Sequence, residues 1–203
     1  MKTSLIIAFV SICILTASTA PESGYKVGSD AMDFSLKNID GKMVSLADYK
    51  EAKGFIVIFT CNTCPYSKLY EDRIIALDRK YARQGFPVIA INPNDPTVQP
   101  EDSFDNMKIR AKEKGFTYPY LVDETQNITK TYGATRTPYV FVLQKRGGKN
   151  KVAYIGAIDN NHKNGDEADN KYVEKAVDAL LSDQNVKEEF TKAIGCTIKW
   201  KES

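Results

Sequence analysis

Gly54-Phe55-Ile56-Val57-Ile58-Phe59-Thr60-Cys61-Asn62-Thr63-Cys64-Pro65 is the stretch that decides how this chain folds. From Gly54 to Thr60 it is an unbroken run rich in β-branched and aromatic residues, the pattern of a strand covered on both faces. Past Pro65 the period changes. Tyr66, Leu69, Ile74, Leu77 and Tyr81 recur at helical spacing with charges on the opposite face, and Gly85 supplies the stop. A second buried strand follows over 86–92, so the segment reads as a β-α-β unit with the right-handed crossover expected of parallel strands. The cysteine pair falls where strand gives way to helix.

Working outward, residues 34–39 and 43–46 flank Asp40-Gly41, a strong short-range hairpin signal. C-terminal to the unit, the spacing predicts a helix over 103–114 ending at Gly115, a strand over 120–122 and a short helix over 126–132 ending at Gly133. After Thr137-Pro138 come strands over 139–143 and 151–155 joined by a polar loop, then a covering helix over 172–181. The Asn-, Asp- and Gly-rich stretch 159–170 reads as an exposed insertion. The order β-β-β-α-β-α-β-α-β-β-α describes an α/β domain: a mixed central sheet, helices on both faces, and an N-terminal hairpin.

The first twenty residues stand apart. Lys2 and the apolar run from Leu5 to Leu15, too short to span a bilayer comfortably, read as a signal peptide cleaved near Ala20, which marks the product as exported, periplasmic or otherwise extracytoplasmic. An uncleaved anchor is the alternative, and Pro21 just beyond the cut blurs the boundary. Residues 21–203 then form one domain, long enough to bury a core without disulfide staples. Lys plus Arg number 28 against 26 Asp plus Glu, and a net charge of +2 gives no reason to expect nucleic acid as a partner.

With Cys13 in the leader, three cysteines remain: Cys61, Cys64 and Cys196. An odd number in an exported chain leaves at least one thiol free or exchanging, which is no structural framework. A Cys-x-x-Cys pair is redox or metal chemistry. Structural zinc asks for four ligands, commonly in two close pairs, and beyond this pair the chain offers Cys196 and its single histidine, His162, which reads as a solvated loop residue. Position favours redox, because first-turn N–H groups and the helix dipole favour a thiolate, the nucleophile of disulfide exchange. Pro65 suits the first helical position and makes Cys64 the N-cap. The more N-terminal Cys61 is assigned as attacker and Cys64 as resolver. In a second register, Cys64-Pro65-Tyr66-Ser67 reads like the glutaredoxin signature, and Cys64 attacks. A static disulfide is the non-catalytic alternative.

Phe59 to Tyr66, Ile89 to Asp95, Tyr132-Gly133-Ala134, Thr137-Pro138 and Gly195-Cys196-Thr197-Ile198-Lys199-Trp200 together resemble the redoxin branch of the thioredoxin superfamily, which takes in alkyl hydroperoxide reductases and thiol-specific antioxidants. The resemblance covers nearly all of 21–203. It implies a thioredoxin-like fold with a cis Pro138 facing the cysteines, and Thr137 and Pro138 binding substrate by strand-like pairing. Protein or small-molecule disulfides are the expected substrates and a thiol reductant the expected partner, and no organic cofactor is required because the sulfurs themselves carry the electrons.

Departures from the pattern matter. Cys61 stands where peroxiredoxins keep a threonine three residues before the peroxidatic cysteine, so a thiol peroxidase acting on peroxides through Cys64 is the second reading. Phe55 stands where thioredoxins bury an aspartate, leaving Glu71 or water as proton acceptor. Arg136 and Cys196 are auxiliary candidates, the first for stabilising a thiolate or peroxide, the second as a third redox partner or a buried spectator. Ile198 and Trp200 are expected to anchor the tail. A thioredoxin-fold copper chaperone ranks third, since soft thiolates suit Cu(I).

Overall fold

The computed structural model describes residues 24–202; the leader expected over 1–20 lies outside them. Its strands are β1 (Asp30–Ala31), β2 (Ser35–Asn38), β3 (Met43–Ser45), β4 (Gly54–Phe59), β5 (Val88–Asn92), β6 (Tyr120–Val122), β7 (Arg136–Thr137), β8 (Tyr139–Arg146), β9 (Lys149–Gly156) and β10 (Cys196–Thr197). The α-helices are α1 (Pro65–Tyr81), α2 (Phe104–Lys114), α3 (Asn127–Tyr132) and α4 (Tyr172–Leu181).

Eight strands form one sheet in the order β1-β9-β8-β4-β5-β6-β2-β3, while β10 and β7 form a separate two-stranded ribbon. β4 runs parallel to β5 and β5 to β6, each joined by a helical crossover; β8 lies antiparallel on the other side of β4. The sheet is therefore mixed, as expected, and β4 sits at its centre.

Strand alternation divides the interior in two. Ile56, Ile58, Val88, Ala90, Val140 and Val142 face one side, where α1, α2 and α4 contribute Ile74, Met107 and Val177. Phe55, Val57, Phe59, Ile89, Ile91 and Phe141 face the other, covered by Tyr132 of α3, the N-terminal hairpin region and Ile198. All six apolar residues of the β4 run from Gly54 to Phe59 are buried, as a two-sided strand demands. Phe59 alone meets Tyr132 and Phe141 at ring-centroid distances of 5.6 and 5.8 Å. Burying one such side chain is worth roughly 1.5–3 kcal/mol, so this double-sided core fixes the strand end that carries Cys61.

Three features differ from the sequence reading. The loop expected over 145–150 is a tight turn: β8 and β9 pair out to Arg146↔Lys149 because Gly147 and Gly148 take φ of 58° and 77°. The base of the 159–170 insertion is anchored, with buried Asp159 accepting from Arg73 at 2.6 Å and from the Tyr70 hydroxyl at 3.0 Å. Its His162 is half-buried, its ring 5.2 Å from that of Tyr66. Third, the C-terminal tail crosses the molecule and pairs with β7.

Candidate active site

The site is assembled where β4 ends. Cys64 has extended backbone (φ −61°, ψ 122°) and caps α1, with Pro65 in the first turn, where a missing N–H costs nothing. The loop between the cysteines is held from below by one carboxylate. Asp102 accepts from the Asn62 N–H at 2.7 Å, the Thr63 hydroxyl at 2.9 Å and the Asn94 side-chain amide at 2.6 Å, and it is 1% exposed. Asn62 is further pinned by the Tyr120 hydroxyl at 3.0 Å and the Glu101 carbonyl at 3.0 Å. Nothing in the sequence singled Asp102 out from the charged residues of the surface. Glu71, the proton acceptor suggested by the sequence, is instead engaged by Arg110 at 2.7 and 2.8 Å.

Above the cysteines lies the Thr137–Pro138 peptide, which is cis. Thr137 touches both sulfurs: its hydroxyl lies 3.2 Å from Cys61 Sγ, and its carbonyl oxygen 3.1 Å from Cys64 Sγ. The backbone of Thr137 is not open for an incoming strand. Cys196 of the tail pairs with it in antiparallel register, and Thr197 pairs with Arg136. Cys196 Sγ is thereby brought 2.7 Å from Cys64 Sγ. Of the two alternatives for Cys196, spectator or redox partner, the structure places it at the site. Beside Pro138 opens a 170 Å³ cleft bordered by Tyr70, Asp159, His162, Lys192 and Ile194.

The tail's docking is extensive. Arg136 donates to the Ala193 carbonyl at 3.1 Å, so its guanidinium secures the tail and is not turned to the thiols. Gln126 donates to the Lys199 carbonyl at 2.8 Å and accepts from the Lys201 N–H, and Asn94 accepts from the Lys199 N–H at 2.9 Å. Ile198 is buried, whereas Trp200 is 39% exposed, so the expected anchoring falls to Ile198 and the backbone.

Electrostatics separate the thiols. Hydrogen bonding from the Cys61 thiol, aided by contacts with Cys196 and the backbone N–H groups of Ser67 and Cys196, holds Cys64 down at about 4, against the cost of its burial. The Thr137 carbonyl, 3.1 Å from Cys64 Sγ, accepts from the neutral thiol and opposes this lowering. Cys61 is pushed up by that same hydrogen bond to Cys64, by burial and by the Asp102 charge. Cys196 is raised to about 11, chiefly by burial and then by its contact with Cys64. Both cysteines of the pair are 3% exposed, so Cys61 is not the more exposed sulfur that the sequence suggests, and the surroundings of Cys64 favour its anion. The cause is local: Cys64 sits at the N-terminus of α1, beside Cys61 and Cys196, where the positive end of the helix favours an anion.

Among the described residues no group of three or more His, Cys, Asp or Glu side chains is arranged to hold a metal ion. No helix among them is long and apolar enough to cross a membrane.

Known proteins resemble this chain to differing degrees. An uncharacterized conserved protein from Geobacillus kaustophilus superposes with a TM-score of 0.81 at 38% identity, over 89% of this chain and 96% of that one. The thiol-disulfide oxidoreductase ResA of Geobacillus thermodenitrificans (strain NG80-2) is 26% identical over 151 residues, 73% of this chain and 80% of that protein. The thioredoxin domain of a thiol-disulfide oxidoreductase from Bacteroides vulgatus, 17% identical, matches 64% of this chain and 88% of that one with a TM-score of 0.53, a likeness of fold. The fold is thus thioredoxin-like, with a mixed sheet between helical layers. A family model matches residues 27–155, which hold the central strands, both cysteines of the pair and the cis-proline peptide, and by that match the chain belongs to the AhpC/TSA family.

Proposed function

We propose that this protein is an exported thiol-disulfide oxidoreductase in which Cys64 attacks and Cys61 resolves. The observation that carries the reading is the Cys64 sulfur at the N-cap of α1, with Cys61 beside it and the cis Thr137–Pro138 peptide in contact with both sulfurs; the setting lowers the Cys64 thiol and raises that of Cys61. The relative named thiol-disulfide oxidoreductase ResA agrees with this chemistry, and the apolar segment from Leu5 to Leu15 supports export.

The Cys64 thiolate attacks one sulfur of a substrate disulfide. That S–S bond breaks, one substrate sulfur departs as a thiolate, and the other remains joined to Cys64. Cys61 then loses its proton and attacks Cys64 Sγ, releasing the second substrate thiolate and closing a Cys61–Cys64 disulfide. Two electrons pass to the substrate, and an external thiol reductant restores them. The proton has a route, since the Thr63 hydroxyl is 4.0 Å from Cys61 Sγ and donates to Asp102 at 2.9 Å. Asp102 thereby stands in for the acidic residue missing at Phe55. Substrate side chains fit the cleft beside Pro138. The sulfurs carry the electrons, so the cycle calls for no organic cofactor.

Stopped-flow oxidation of the reduced protein by oxidised glutathione and by hydrogen peroxide tests the reading. Disulfide exchange is expected to be lost in Cys64→Ser, the first attack to survive in Cys61→Ser, and peroxide to react slowly. Rapid peroxide consumption dependent on Cys64, with sluggish disulfide exchange, identifies a thiol peroxidase instead.

A further inference from the structure

We propose that Cys196 is a third redox cysteine, carried by a tail that docks as a tethered internal substrate, so that disulfide is passed between the buried Cys61–Cys64 pair and the outside through a Cys64–Cys196 bond. The inference rests on the dithiol reading above. Three observations independent of that reading support it.

The first is register. β10 pairs with β7 so that Cys196 stands opposite Thr137, and Thr137 is the residue in contact with both active-site sulfurs. The tail therefore lies along the backbone edge where an extended peptide would add as a strand, and it presents a cysteine at the reacting atom. The second is fit. Gly195 leaves no room for a side chain: a Cβ there would lie 2.2 Å from the Thr137 oxygen and 3.2 Å from the Pro138 nitrogen. Glycine is what allows the tail to approach this closely. The third is access. Cys61 and Cys64 are each 3% exposed, whereas Cys196 is half-buried and the only one of the three cysteines that external thiols meet without lifting the tail.

The steps balance. In the oxidised protein the Cys196 thiolate attacks Cys64 Sγ; the Cys61–Cys64 bond breaks, Cys64–Cys196 forms, and Cys61 leaves as a thiolate that takes up a proton. This is an isomerisation with no net change in oxidation state. An external thiolate then attacks the more accessible Cys196 Sγ, releasing the Cys64 thiolate, and a second thiol resolves the mixed disulfide on Cys196. The pair is reduced without an external group entering the buried site. By the same geometry, peptide substrates compete with the tail for the Thr137 edge.

The test uses Cys61→Ser protein carrying a glutathione mixed disulfide on Cys64, followed by acid quench and mass mapping of the disulfides. Release of glutathione with formation of Cys64–Cys196 is expected to run about tenfold or more faster than glutathione loss from the Cys61→Ser, Cys196→Ser double variant, because a tethered thiol acts at high effective concentration. Gly195→Ala, which keeps all three cysteines but obstructs docking, is expected to slow the release in the Cys61→Ser background. In the otherwise wild-type protein, Cys196→Ser is expected to slow reduction of the oxidised pair by glutathione. Glutathione that persists equally in the single and double variants, while wild-type protein closes a Cys61–Cys64 disulfide normally, overturns the relay alone. Wild-type protein that never closes Cys61–Cys64 overturns the dithiol reading and the relay with it.

Discussion

At the scale of single residues, the chemistry turns on how two adjacent thiols are made unequal. A cysteine pair placed above a helix invites the assumption that the first member attacks, and here the donors favour the second. The Cys61 thiol foremost, then Cys196 and the first-turn backbone at Ser67, lower the Cys64 thiol against the cost of its burial. Titration of the reduced protein, followed by thiolate absorbance or by iodoacetamide alkylation mapped to Cys64, is expected to show a midpoint near 4. Cys61→Ala, which removes the foremost donor, moves that midpoint up. A Cys64 midpoint close to the free-thiol value of about 8.5 would show that the donors are not acting. The cysteines, Thr137, Pro138 and the N-cap role of Cys64 were legible in the sequence, because Cys-x-x-Cys, Pro65 and Thr-Pro are local signals. Asp102 was not. Its importance lies in accepting from Asn62, Thr63 and Asn94 at once, a convergence of three chain segments that no spacing records. From the sequence Arg136 is an auxiliary candidate for a thiolate or a peroxide oxygen, or else a solvated arginine, and the acceptor it meets is the carbonyl of Ala193, fifty-seven positions away.

At the scale of elements, the central β4 works because its backbone can approach its neighbours closely at one end. Gly54 opens the strand against β8 and against Phe86, and a Cβ there would lie 2.1 Å from the Leu143 oxygen and 2.3 Å from a Phe86 ring carbon. Gly54→Ala is therefore expected to destabilise the fold by about 1–3 kcal/mol, the usual cost of overpacking a filled core. Chemical denaturation reads it as a lower midpoint at unchanged slope, and a midpoint equal to wild type would mean that β4 and β8 part freely. The strands and helices that carry strong periodicity came through from the sequence within a few residues. β7 and β10, two residues each, did not, since such short strands have no period to detect and exist because they pair with each other. The reach of β8 and β9 was underestimated for a different reason: polar residues from Lys145 to Asn150 suggest a loop, but Gly147-Gly148 makes the turn alone and leaves the rest to pair.

At the scale of the whole molecule, the ionisation of one buried sulfur couples to folding. In the unfolded chain Cys64 titrates near the free-thiol value of about 8.5, and in the fold at about 4. A lowered folded value means that the native state binds the proton less readily, so the resulting stabilisation is complete above pH 9, shrinks as pH falls through the interval and is gone below pH 4. Cys61, raised in the fold, acts oppositely, but only above pH 9, where the unfolded chain begins to ionise it. Between those limits the reduced protein should gain stability with rising pH, at a slope no greater than about 1.4 kcal/mol per pH unit. Carboxylates lowered in the fold, such as Asp30, Asp40 and Asp95, contribute their own slopes, so the informative comparison is with Cys64→Ser, which keeps every other titrating group outside the coupled thiols. The wild-type minus Cys64→Ser difference in unfolding free energy should rise steadily from about pH 5 to pH 8 under reducing conditions, and flatten once the protein is oxidised and the sulfur no longer titrates. A flat difference in the reduced state would mean that Cys64 stays protonated in the fold, and that attack must begin elsewhere.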